Sequence, residues 1–356
     1  MKHIFQTTSK LLVATSLVMG LSASSLMAEV KDKFEVSWTI YVGWMPWDYA
    51  QQKGIVDKWA KKYDIEIDLV QVNDYIESIN QYTAGKFDGC VMTNMDALTI
   101  PAASGVDSTA LIMGDYSNGN DGIILKDKKN LSDIKGQKVN LVELSVSHYL
   151  LARGLESVGM SERDVKVVNT SDADMVAAYT SDEVTAMTTW NPQLSEIMTN
   201  NKSANLVFDS SKTPGEIIDM LVMNTETLND NPKLAKALTG AWFEVMALMK
   251  KGDKEALTFM AEASGTDLAG YKSQLDSTMM FYTPSDAVKF ATSDALPATM
   301  KKVSEFSFDH GILGEGAPDA EFIGMEFPGG KTFGDTKNIK LRFTDTYVKM
   351  AADGKL

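Results

Sequence analysis

Four aromatic and three acidic side chains of this 356-residue sequence fall in short segments that read as turns following strands: Trp44, Trp47, Tyr116 and Trp190, with Asp48, Asp96 and Glu143. Indole and phenol faces accept a delocalised positive charge, and carboxylate oxygens take in-plane N–H groups in pairs. That combination suits a small planar cation. Arginine usage agrees, because only Arg153, Arg163 and Arg342 occur and arginine forks are the usual clamp for sulfonate, nitrate or phosphate. A helix N-terminus can still hold an anion without them.

Each position also has a plainer use. Trp44 and Trp47, three residues apart, suit the packed stripe of a helix. Asp48 and Asp96 fall in first helical turns, where the helix dipole and capping favour acids. Glu143 follows an apolar strand and either faces a cleft or caps the next helix. Tyr116 fits a hinge or a wall, and His148 fits a satisfied structural histidine.

Nucleophilic chemistry is poorly supported. Ser145, Ser147 and His148 supply nucleophile and base types without the glycines of a nucleophile elbow. Phe327 to Thr332 ends like a phosphate-binding loop, but Met325 stands where its first glycine belongs. The lone cysteine, Cys90, excludes a disulfide framework and a thiolate metal cluster. Beyond residue 28 only His148 and His310 remain, in no two-histidine metal motif. No cofactor or metal is expected.

Alternating strands and helices must carry these loops. A β-branched and aromatic run from Glu35 to Val42 precedes Gly43, and Pro46 opens a helix to Lys53 that Gly54 stops. Helix Val56 to Tyr63, strand Ile65 to Val70, helix Asp74 to Ala84, strand Gly89 to Thr93, helix Asp96 to Ala103 and strand Ser108 to Met113 follow. This rhythm predicts an α/β fold with parallel pairing. Tyr116 to Gly122 turns polar and reads as a crossing between lobes. Strands at Gly122 to Leu125, Lys138 to Val142, Val165 to Val168 and Val184 to Thr189 then rebuild the rhythm, with helices at Ser147 to Val158 and Asp174 to Ser181. Strand Asp219 to Met223 carries the chain back. From Pro232 onward the sequence is mainly helical, and Leu234, Leu238, Trp242, Val245 and Met249 mark one packed face. The expected organisation is residues 29–118 in lobe I, 119–222 in lobe II and 223–356 returning to lobe I.

Residues 1–28 have a basic head (Lys2, Lys10), an apolar run from Leu11 to Leu21 and small residues up to Ala28. This is the layout of a cleavable secretory signal peptide, too short for a span of roughly 20 residues. Its removal leaves 32 basic residues against 48 acidic ones, a charge of −16. That argues against nucleic acid or an anionic membrane surface as partner.

Several stretches resemble one family. Gly43-Trp44-Met45-Pro46-Trp47-Asp48-Tyr49-Ala50, Lys135-Gly136-Gln137-Lys138-Val139, Ser147 to Leu151, Trp190-Asn191-Pro192, Pro214 to Asp219 and Asn231 to Leu234 are similar to periplasmic substrate-binding proteins of nitrate/sulfonate/taurine-type ABC importers. The Trp44 to Asp48 loop and Asn94-Met95-Asp96 resemble a branch associated with urea carboxylase and guanidine utilisation. The resemblance implies a two-lobed periplasmic binding fold (type II) with two crossings, a monomer, a periplasmic location and a permease partner. It implies a ligand site including Trp44, Trp47, Asp48, Asn94, Asp96, Tyr116, Glu143, Ser145, His148 and Trp190. Guanidinium is the expected ligand, with urea, an aminopyrimidine or a taurine-type sulfonate as alternatives. An enzyme on the same fold, like the thiamine-pyrimidine synthases, would need a cysteine-rich segment that this sequence lacks.

Overall fold

The structure, a computed structural model, describes residues 31–314 and 316–356. The leader expected over residues 1–28 lies outside the described residues. Among the described residues fourteen strands occur in chain order: β1 Lys33–Trp38, β2 Glu66–Gln71, β3 Gly89–Thr93, β4 Ser108–Ser117, β5 Asp121–Lys126, β6 Lys138–Leu141, β7 Lys166–Asn169, β8 Ala186–Trp190, β9 Ala204–Asp209, β10 Ile218–Asn224, β11 Thr278–Met280, β12 Gly324–Phe327, β13 Lys331–Phe333 and β14 Ile339–Phe343. They form a nine-stranded sheet ordered β13-β12-β14-β4-β10-β3-β1-β2, with β11 against β4, and a five-stranded sheet ordered β7-β6-β8-β5-β9.

Burial explains the elements. Every residue of β3 is buried, as expected of a strand covered on both faces. The helix Met45–Gln52 starts with Pro46 in its first turn, and Gly54 at φ 67° turns the chain directly into the helix Ile55–Lys62. Asp74 caps the helix Tyr75–Thr83 by accepting the Glu77 backbone N–H at 2.8 Å. The helix Pro232–Lys250 buries Leu234, Leu238, Trp242, Val245 and Met249, the stripe read from the sequence. Trp242 meets Trp47 with ring centroids 4.8 Å apart. Opposite it a Cβ on Gly114 would approach the Trp242 ring to 2.8 Å, so the strand must carry glycine there.

Three expectations are corrected. Pairing is mixed rather than purely parallel: β1 pairs parallel with β2 and β3, whereas β10 runs antiparallel between β3 and β4. The chain leaves the larger sheet at the end of β4 and re-enters at that same edge, so the returning strand must run opposite to β4. Second, β4 continues to Ser117, which puts Tyr116 inside a strand instead of a crossing. Third, the return is complete by Ile218, where β10 begins in the nine-stranded sheet, earlier than residue 222. The chain therefore passes between sheets at 118–120 and again at 210–217. No described helix is long and apolar enough to cross a membrane.

Candidate functional site

A small cavity lies where the ends of strands from both sheets meet, with an empty volume of about 270 Å³. The larger sheet contributes Tyr41 and Trp44 from the turn after β1, Tyr75 from the helix after β2, Thr93 at the end of β3, and Ile217 and Asp219 at the start of β10. The smaller sheet contributes Asp121 at the start of β5, Val146 from the first turn of the helix Val146–Ser157, and Trp190 at the end of β8. Such strand mouths are where open α/β sheets bind ligands.

The aromatic wall is continuous. Tyr41 meets Trp44 edge-on at 4.9 Å, Trp44 tilts against Tyr75 at 5.8 Å, and Tyr75 meets Trp190 edge-on at 5.7 Å. The last pair joins the two sheets. Other bonds join them as well: the Tyr75 backbone N–H donates to Asp172 Oδ1 at 3.1 Å, and Ser171 Oγ donates to Asp74 Oδ2 at 2.5 Å.

Around this wall sit four buried carboxyls. Asp96 Oδ2 accepts from Tyr75 O–H at 2.6 Å and Thr93 O–H at 2.8 Å, while Oδ1 has no partner. Asp121 accepts from Ser117 O–H at 2.5 Å. Asp115 and Asp219 are partners in the β4–β10 register, and Tyr41 O–H donates to Asp115 Oδ1 at 3.0 Å. Burial pushes Asp96 and Asp121 up to about 6, and hydrogen bonds only partly offset it. It raises Asp115 and Asp219 too, Asp219 further because Asp115 and Asp121 are both near. None of the cavity-lining residues is basic. A buried carboxylate without a cation is costly, so the cluster is electrostatically incomplete. Trp44 Nε1 is also buried without a partner.

The structure sorts the ten positions expected from the sequence. Trp44 and Trp190 line the cavity, and Asp96 bonds to two of its lining residues. Trp47 lies one layer below, against Trp242 and near Asp219. The rest are placed away from the cavity by other partners. Asp48 is half-buried on its helix beside Gln52. Asn94 is locked to backbone, donating to Glu216 O and accepting from the Ile218 N–H. Tyr116 stacks on Phe290 at 5.8 Å. Glu143 is exposed, Ser145 caps the helix Val146–Ser157, and His148 accepts the Leu144 N–H and pairs with Glu162. Arg153 and Arg342 are held by Glu216 and Glu156 and by Asp107 and Glu326, and Arg163 is exposed.

Tyr41, Tyr75, Asp115, Asp121 and Asp219 belong to the site without having been singled out from the sequence. The aspartates did leave a signal, since each interrupts or borders an apolar strand run, as in Ile217-Ile218-Asp219-Met220-Leu221. A charge there is expensive unless used. No metal-binding group of three or more His, Cys, Asp or Glu occurs among the described residues. Cys90 is fully buried and its thiol is pushed up to about 11, which makes it inert.

Known structures share this architecture. The alkanesulfonate-binding protein SsuA from Xanthomonas axonopodis pv. citri, bound to MOPS, aligns with TM-score 0.65 at 16% identity, covering 81% of this chain and 96% of that one. The periplasmic nitrate-binding protein NrtA from Synechocystis aligns with TM-score 0.58 at 14% identity over 90% and 98%. The desulfurization enzyme DSZB aligns with TM-score 0.55 at 14% identity over 80% and 93%. The fold is thus that of the periplasmic binding proteins, and it is shared by an enzyme. No curated protein matches at the level of sequence. Residues 30–256 match the family described as NMT1/THI5 like. That match takes in both passages between the sheets and all four buried aspartates, and it places this chain in the NMT1/THI5-like family.

Proposed function

We propose that this protein is the extracytoplasmic solute-binding component of an ABC importer and that its cleft takes a small planar nitrogen-rich cation, guanidinium in the first place. The observation that carries the ligand class is the set of four buried aspartates around an aromatic wall whose lining holds no basic side chain. A cation at that point supplies the missing charge. Carboxylate and cation 4 Å apart gain about 4 kcal/mol at an effective dielectric of 20, and a desolvated ring face adds about 2 kcal/mol. A sulfonate or nitrate would meet like charge instead.

The transport role is supported by the shared fold and by the signal-peptide layout of residues 1–28. Two sheets joined by two short passages suit hinge closure. Ligand would settle first on Trp44, Tyr75 and Asp219 of the larger sheet, and Asp121 and Trp190 of the smaller sheet would then close over it. Closure excludes water and strengthens each carboxylate–cation contact. The closed form is the one a permease would accept.

Calorimetry on the protein freed of its leader tests this. Guanidinium should give saturable heat that Asp219→Asn weakens at least tenfold, and taurine and nitrate should give none. Heat with taurine or nitrate, and none with guanidinium, would refute the ligand class while leaving the fold untouched.

A further inference from the structure

Asp115 and Asp219 occupy directly paired positions on β4 and β10, and both are nearly or fully buried. Their carboxyl groups lie within hydrogen-bonding reach of each other. The groups facing them make the pairing harder still. Tyr41 donates its hydroxyl to Asp115, Asp121 adds a third negative charge from β5, and the phenols of Tyr271 and Tyr282 lie near enough to Asp115 to feel its charge. No lysine, arginine or histidine lines the cavity beside Asp219. Two touching carboxyls without a cation cannot both stay ionised cheaply, and the stable arrangement is one proton between two acids. Both aspartates belong to the larger sheet, so opening or closing of the cleft neither makes nor breaks the pair.

Resting on the cation-binding reading above, we infer that the Asp115–Asp219 pair holds one proton while the cleft is empty and gives it up to solvent when the cationic ligand enters. The site then exchanges one positive charge for another. The pair would work as a selectivity device, since a neutral solute cannot displace the proton, and it would link affinity to pH. Where the pair is protonated, guanidinium affinity should rise by up to about tenfold per pH unit as protons become easier to release. Above the titration of the pair the dependence should vanish.

Two measurements test this separately from the ligand assignment. Infrared spectroscopy of the unliganded protein at pH 7 should show a protonated carboxyl band. That band should be lost in Asp115→Asn and kept in Asp96→Asn. A wild-type spectrum with carboxylate bands alone overturns the inference whether or not guanidinium binds. Calorimetry with guanidinium in phosphate and in Tris should then show close to one proton released per ligand in the wild type and close to none in Asp115→Asn. Binding with equal heats in both buffers overturns the inference and spares the cation site. A persistent carboxyl band with no guanidinium heat supports the proton-sharing pair and overturns the ligand assignment.

Discussion

Raising the pH from 5 to 8 should lower the melting temperature of the unliganded protein. Asp96 and Asp121 ionise near pH 6 in the folded chain and near about 3.9 when unfolded. Between those values the folded state keeps protons that the unfolded chain has lost, so stability falls as pH rises and stays low above the folded value. About one pH unit of that fall remains above pH 5, worth roughly 1.4 kcal/mol per carboxyl. The two together cost about 3 kcal/mol, or about 4 °C for a chain of this size at about 2.1 cal/mol/K per residue.

Neighbouring titrations do not cancel this. His310, raised by its pairing with Glu162, loses its contribution as pH rises, which has the same sign. Asp172 is also pushed up to about 6 by burial and adds in the same direction. The lowered acids Glu162 and Glu216 gain their stability as they ionise in the unfolded chain, a change nearly complete by pH 5. Differential scanning calorimetry across pH 5–8 measures the slope, and the double variant Asp96→Asn/Asp121→Asn should flatten it by about 4 °C. Saturating guanidinium should flatten it too, because the ligand supplies the absent charge. A wild-type melting temperature that climbs from pH 5 to 8, or a variant profile as steep as the wild type, would refute the electrostatic argument.

Other substitutions separate wall, floor and bystander. Trp190→Ala should cost about 2 kcal/mol of ligand affinity, roughly thirtyfold, by removing the smaller sheet's ring face, whereas Trp190→Phe should retain most of it in calorimetry. Gly43→Ala should weaken binding more than tenfold while circular dichroism stays native, since a Cβ there would stand 2.6 Å from Asp115 Oδ2 and 2.5 Å from the Tyr41 ring. Asp48→Asn and Glu143→Gln should leave affinity within about twofold, because neither residue lines the cavity.

Local pattern made most of the first half of the fold legible. The buried β3 was read with its observed ends, and the helices on either side of Gly54 to within one residue, because glycine and proline mark those ends by backbone geometry alone. The direction of β10 was not legible, since antiparallel insertion between β3 and β4 depends on where the chain re-enters and not on Ile218 to Asn224 themselves. Short strands β11 to β14 were passed over because three- to five-residue runs carry too little periodicity, and the helix Ala295–Asp309 was not named within the stretch read as mainly helical. In the site, loop aromatics were visible because tryptophan is conspicuous after a strand. Tyr41 and Asp219 were not, because they were read as strand framework, nor was Asp115, which follows the strand read from Ser108 to Met113; Glu143 was named for the site because acidity at a strand end resembles a ligand group.

The contrast between exposed Glu143 and the buried aspartates bears on the proposed specificity. The fold is shared with proteins named for binding alkanesulfonate and nitrate, so under the proposed cation reading the scaffold alone does not set the sign of the solute. The candidate residues for that choice are few and sit near the ends of strands: Asp219 is the second residue of β10, Asp121 opens β5, and Asp115 lies two residues before the end of β4. Asp115 and Asp219 are paired with neighbouring strands on both sides and Asp121 on one, so a carboxyl there cannot swing away to water as a loop side chain can. Under the proposed cation-binding reading, the empty chain bears this electrostatic cost and ligand binding would relieve it. A site built this way would gain selectivity for positive charge through the penalty of leaving it vacant, and reversing that preference would require replacing strand residues of the core together with their partner Tyr41, not merely editing the loops above them.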